Sequence, residues 1–261
     1  MLIGYVQTEP ILGDVAGNLE RAAAVAAHVQ ADLLVFPELF ATGYAHADRD
    51  AAWALAEDAD GPTIGWAYDF SGRTGAAVCG GYIRRDGARA FNSAFLVDGE
   101  GLVATYDKIH LFHNERRLFD PGQCAPSVCT VREVPVGIMI CYDWQFPELA
   151  RSLALDGARV LLHPSNLVLP WGQDAMRIRG LENGVFTVTA NRVGTDGDLN
   201  FTGSSQITGP KGEILSSAPT VGEYAYAVNI DPDEAADKRT TDLADRFADR
   251  RPEFYGRVTR R

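Results

Sequence analysis

Three apolar runs in this chain each end on a residue suited to acyl transfer. LLVF at 33–36 is followed by Pro37 and Glu38, LVATY at 102–106 by Asp107 and Lys108, and VGIMI at 136–140 by Cys141. A cysteine thiolate is a strong nucleophile, but a free thiol with a pKa of about 8.5 is little ionised near neutrality. A neighbouring carboxylate can take its proton as general base. A nearby ammonium can stabilise the thiolate and the oxyanion formed on attack at an acyl carbon. Taken singly, each residue has a blander role. A cysteine closing an apolar strand fills core, and a strand-end lysine or glutamate is a solvated edge charge. The coincidence of three favours chemistry. Lysine is also scarce: Lys108, Lys211 and Lys238 stand against 21 arginines. Arginine supplies neither a compact point charge nor a shiftable pKa.

Other constellations are weaker. His110 and His113 precede Cys124 and Cys129, but no third and fourth ligand recur at zinc-site spacing, so no metal is expected. A cysteine–histidine pair using His163 or His110 is an alternative to the carboxylate base. GxGxxG and GxxxxGK[ST] are absent, so no nucleotide cofactor is expected.

These residues need strands to hold them. Strands are predicted at 2–7, 33–36, 76–83, 93–98, 102–106, 134–140, 159–163, 185–190, 204–208 and 224–230. Helices are predicted at 18–30, 63–73, 146–156, 173–183 and 233–240, with Asn18 as N-cap of the first. Several strands are apolar with little alternation, as if buried on both faces. The pattern is α/β, with helices covering sheets. No linker divides the 261 residues, so 1–261 reads as one domain, with 231–261 as a C-terminal helix and arm. That tail carries eight acidic and eight basic residues. It is either a solvated end or an arm that docks on a partner subunit.

Composition narrows the partners. The net charge of −11 disfavours nucleic acid and anionic membranes. The N-terminus lacks a basic, apolar signal pattern, and no run of about 18 apolar residues occurs, so a cytoplasmic protein with free thiols is expected.

The motifs resemble those of the nitrilase superfamily, the carbon–nitrogen hydrolases. LLVFPELFATGY (33–44) is similar to the family's glutamate motif. FNSAFLVDGEGLVATYDKIHLFHNERRLFDPG (91–122) resembles its lysine motif, and VGIMICYDWQFPELARSLALDGARVLLHPSN (136–166) its cysteine motif. The likeness continues through 177–194 and 201–215, so nearly the whole chain is covered in family order. The resemblance implies a four-layer α-β-β-α sandwich of two mixed sheets. It implies a triad of Glu38, Lys108 and Cys141, with Glu115 as a second glutamate and no departure in the triad. It also implies a homodimer, with a higher oligomer as the alternative; no cofactor is expected. The chain is most similar to the free-standing amidase and nitrilase-like branch.

On this reading the backbone N–H of Tyr142 joins Lys108 at the oxyanion. Tyr44, Trp144, Asn166, Leu167 and Trp171 shape the substrate pocket, although Trp144 and Trp171 could equally pack core or interface. Arg177 could meet a substrate carboxylate or pair with a glutamate. The expected activity is hydrolysis of a small carboxamide to acid and ammonia through a cysteine thioester. A nitrilase, an ω-amidase or an N-carbamoyl amine hydrolase are alternatives, and a non-catalytic interaction module is the alternative outside enzymes.

Overall fold

A computed structural model describes residues 1–260. The first half of the chain supplies β1 (Leu2–Gln7), α1 (Val15–Ala26), β2 (Leu33–Val35), α2 (Arg49–Ala54), α3 (Pro62–Thr74), β3 (Ala77–Asp86), β4 (Arg89–Asp98) and β5 (Gly101–Asp107). The short α4 (Glu115–Leu118) leads into β6 (Val128–Val131), β7 (Val134–Ile138), α5 (Pro147–Leu155), β8 (Val160–Pro164), α6 (Gly172–Asn183) and β9 (Phe186–Ala190). A small hairpin, β10 (Thr195–Asp196) and β11 (Leu199–Asn200), precedes β12 (Gln206–Thr208), β13 (Ile214–Ser217) and β14 (Tyr224–Asn229). The tail carries a second small hairpin, β15 (Arg239–Thr241) and β16 (Ala244–Asp245).

The large strands form two six-stranded sheets, ordered β14-β1-β2-β3-β4-β5 and β13-β12-β9-β8-β7-β6. Both are mixed. β1, β2 and β3 run parallel, as do β7, β8 and β9, and the flanking pairs are antiparallel. Period-two alternation explains how the sheets stack. Leu33 and Val35 of β2, with Ala77 and Cys79 of β3, join a core shared with Val136 and Ile138 of β7. The intervening Leu34 and Val78 turn the other way and pack with Leu19 and Ala22 of α1 and Ile64 and Ala67 of α3. On the far sheet, Leu149 and Leu153 of α5 and Met176 of α6 complete the shared core. The layers are therefore helix, sheet, sheet, helix, as the resemblance implies. Among the described residues, no helix is long and apolar enough to cross a membrane.

Two expectations about elements need correction. Asn18 is not the cap of α1. The helix starts at Val15, and Asp14 caps it by accepting the Gly17 N–H at 3.2 Å. Asn18 lies buried inside the first turns, where its Nδ2 donates to the carbonyls of Ile11 (2.7 Å) and Ala41 (2.9 Å). The helix expected at 233–240 is only a 3₁₀ turn, Pro232–Ala235. Asp237 stops it: its carboxylate accepts the Arg239 N–H at 3.0 Å, a local turn that competes with the helix. The chain then enters β15. None of the four cysteines is in a disulfide.

Candidate active site

Glu38, Lys108 and Cys141 all follow strands that feed the same end of the two sheets. β2 leads through Pro37 to Glu38, β5 ends one residue before Lys108, and β7 leads to Cys141. All three are buried, Glu38 and Lys108 completely. The Lys108 ammonium donates to Glu38 Oε1 at 2.6 Å and to Glu115 Oε1 at 2.8 Å.

Each partner is held by its own element. Asn92 of β4 donates from Nδ2 to Glu38 Oε1 at 2.7 Å, and its carbonyl accepts the Lys108 N–H at 2.9 Å. One strand residue thus places both ends of the ion pair. Asn166, two residues after β8, donates to the Glu38 carbonyl at 2.9 Å. Glu115 opens α4, with Oε2 accepting the Phe112 N–H at 3.1 Å and Oε1 accepting the Tyr44 hydroxyl at 2.6 Å. The Glu38 loop itself lies against β3, where Gly81 donates its N–H to the Pro37 carbonyl at 3.0 Å. A Cβ on Gly81 would meet Glu38 Cα at 2.6 Å, so the approach requires glycine.

Cys141 is strained. Its φ is +39°, a left-handed conformation that non-glycine residues seldom adopt. It opens a 3₁₀ turn, Cys141–Gln145. Asp143, fully buried, clamps this turn by accepting the Ile140 N–H at 2.8 Å and the Tyr106 hydroxyl at 2.9 Å, with His110 Nδ1 at 2.7 Å on its other oxygen. From β8, His163 Nε2 lies 2.8 Å from the Cys141 carbonyl oxygen, which can only accept, so His163 donates. Burial pulls His163 down to about 4, so the ring is neutral. The imidazoles of His110 and His163 are therefore spent on the turn.

Electrostatics link the cluster. Burial pushes the Glu38 carboxyl up, Lys108 opposes the rise and Glu115 adds to it, leaving it at about 7. Burial also works against the Lys108 charge, but Glu115 and Glu38 outweigh it and hold the amine above its ordinary value. Burial raises the Cys141 thiol well above its usual range; Glu38 adds to this, and Lys108 and the Asn166 N–H oppose it. Glu38 Oε2 is buried with no partner among the described residues. The cluster thus holds a neutral thiol beside a carboxyl poised near neutrality, one oxygen of which is unengaged.

A narrow space of about 10 Å³ lies over Cys141, lined by Phe112, Tyr142, Trp144, Asn166 and Leu167, and by Val168 and Leu169. A larger cavity of about 350 Å³ shares Phe112 and Val168 with it and reaches Tyr44 and Glu115. Of the pocket residues read from sequence, Tyr44, Trp144, Asn166 and Leu167 come to this region. Trp171 does not: it stands at the start of α6, 60% exposed. Among the described residues Arg177 lines neither space and pairs with no glutamate; its Nε donates to the Gly212 carbonyl at 2.6 Å. Asn92, Asp143 and Tyr106 escaped sequence reading. The one signal was polarity: each interrupts or follows an apolar strand.

Residues 2–240 match the carbon-nitrogen hydrolase family. The chain is 42% identical over 259 residues to a nitrilase from Pyrococcus abyssi, covering 98% of this chain and 99% of that one. It is 35% identical over 240 residues to an (R)-stereoselective amidase from a Pseudomonas species, covering 90% and 86%. A solved variant of the amidase from Nesterenkonia sp. AN1, with acrylamide added to its active-site cysteine, matches with a TM-score of 0.82 at 26% identity, over 98% of this chain and 99% of that one. The chain belongs to the carbon–nitrogen hydrolase family of the nitrilase superfamily, and it is a hydrolase of non-peptide carbon–nitrogen bonds.

Proposed function

We propose that this chain hydrolyses a small carboxamide to a carboxylic acid and ammonia through a thioester on Cys141. The observation that carries the reading is the divided role of Glu38. Lys108 and Asn92 fix Oε1, while buried Oε2 has no partner. That oxygen takes the thiol proton as Sγ attacks the amide carbon. Moving the proton from Cys141 to Glu38 relocates charge without changing the cluster's total, so a buried site tolerates it. The carbonyl electrons become an oxyanion, stabilised by Lys108 and the Tyr142 N–H. Glu38 gives its proton to the departing nitrogen, the C–N bond breaks, and ammonia leaves. Glu38 then takes a proton from water, whose oxygen attacks the thioester. The acid departs and the thiol regains its proton. Glu115 holds Lys108, and Tyr44 holds Glu115.

The amidases among its relatives support an amide substrate. The relative named nitrilase favours a second reading, in which a nitrile reaches the same thioester through a thioimidate. Ammonia release from aliphatic amides and the matching nitriles distinguishes the two. Cys141→Ala abolishes release with either series while circular dichroism stays unchanged. Continued amide hydrolysis by that variant refutes the mechanism.

A further inference from the structure

The cavity of about 350 Å³ beside Glu115 has an unusual polar inventory. It is bounded by the Tyr44–His46 loop, by Phe112 to Glu115, by Val168, and by the β10–β11 hairpin. Its lining includes the acids Glu115, Asp196 and Asp198 and no lysine or arginine. Two of those acids are already matched. Glu115 pairs with Lys108, and Asp196 pairs with Arg192 at 3.2 Å while also accepting the N–H groups of Tyr44 and Ala45. Asp198 has no ion pair among the described residues and is exposed at the hairpin. Asp198 is therefore the one acid of the lining with no cation paired to it among the described residues.

His46 supplies a second, independent sign. It is 4% exposed, lines the cavity, and its Nε2 is buried without a partner among the described residues. Burial lowers its pKa against the pull of Asp196, so the ring is neutral. A neutral ring carries one N–H donor and one acceptor nitrogen. A buried ring nitrogen left unsatisfied costs about 1–3 kcal/mol, so such an atom points to a hydrogen-bonding group that arrives with a ligand.

We propose that this cavity reads the far end of the substrate and selects a hydrogen-bond donor there, an amine or ammonium, with His46 Nε2 and Asp198 as the groups that recognise it. The proposal rests on the amidase reading above. The substrate class is then an amide whose chain ends in an amino group. The apolar walls, Phe112, Leu118, Val168 and Leu199, cover the methylenes between the two ends. A carboxylate tail meets Asp198 with no cation to receive it, so carboxylate-ended amides are disfavoured.

Calorimetric titration of the Cys141→Ala protein tests this without turnover. The probes are 5-aminopentanamide, pentanamide and 5-amino-5-oxopentanoate, which share a five-carbon amide skeleton and differ in the group at the far end: an ammonium, no polar group and a carboxylate. The ammonium-ended amide is expected to bind at least about tenfold tighter than pentanamide, the range of one hydrogen bond to a charged group. The carboxylate-ended amide is expected to bind weakest. Asp198→Asn, at an exposed position that leaves the fold intact, should shrink the ammonium advantage severalfold in the same background. His46→Phe should do so as well. Equal or undetectable affinity for all three tails, or preference for the carboxylate, overturns the proposal. The amidase reading is tested separately, by ammonia release from pentanamide with the unmodified enzyme, so the two can fail independently.

Discussion

In the proposed mechanism Glu38 enters the reaction as a carboxylate, and burial has moved its pKa to about 7. The reactive fraction of enzyme therefore rises as pH climbs through neutrality, and kcat/KM should show an acid limb near pH 7. Glu115 contributes to that elevation, because its negative charge disfavours a second one on Glu38. Glu115→Gln should accordingly move the acid limb to lower pH, even as weaker support for Lys108 lowers the rate. A limb that stays in place, or a flat profile from about pH 5 to 8, removes Glu38 as the base. Glu38→Gln should lower turnover by about 10²- to 10⁴-fold, the usual contribution of a positioned base. The three central residues were legible because each ends an apolar run, where a side chain leaves the strand for the site. Asn92 was not, since an asparagine inside FNSAF looks like any strand position until Glu38, 54 residues earlier, folds against it. His163 was offered as a base and acts as a brace, because which atoms it reaches is a tertiary fact.

At the level of elements, the site depends on close approach between pieces distant in sequence. Gly81 of β3 makes one of these approaches. Its missing side chain lets the Glu38 loop lie on the strand, and a methyl there would press on the Glu38 Cα and crowd the Leu39 N–H. Gly81→Ala should destabilise the protein by about 1–3 kcal/mol, the usual cost of overpacking, and should lower kcat because Glu38 is displaced. Denaturant melts and ammonia-release kinetics would show both effects together. A variant with normal stability and rate would mean that the loop yields at no cost. Strand and helix positions were readable where apolar periodicity was strong, as in α5. The cap of α1 was misread because Asp14 and Asn18 are both good capping residues, and only the loop contacts of Asn18 decide between them. Trp171 was misassigned for a related reason: the loop after β8 turns inward at Asn166 to Leu169 and outward before α6, and hydrophobicity alone does not reveal where it turns.

On the scale of the whole molecule, the charge is unevenly placed. The tail from Asp231 is balanced, eight acids against eight bases, so residues 1–230 carry 27 acids and 16 bases and the whole net charge of −11. The tail is tied to its own chain at several points. Lys238 Nζ donates to the carbonyls of Asn183 (3.2 Å) and Gly184 (2.9 Å), capping the end of α6, and Arg151 lies over the Phe247 ring. Its other side presents apolar groups outward: Leu243 is 96% exposed, Phe254 69% and Val258 58%. Water gains nothing from such groups, whereas a second copy of the chain could bury them. We propose a homodimer in which this tail reaches the partner. Truncation at Asp231 is an ambiguous test, because it also strips the Lys238 cap from α6 and weakens the monomer. Leu243→Asp combined with Phe254→Ser avoids this, since both side chains are exposed and the contacts of Lys238 and Phe247 stay in place. Sedimentation velocity should then show a dimer for the unmodified chain and a monomer for the double variant, with unchanged melting of the monomer fold. A double variant that sediments as the same dimer would place the interface elsewhere and leave the tail a solvated strap on α6.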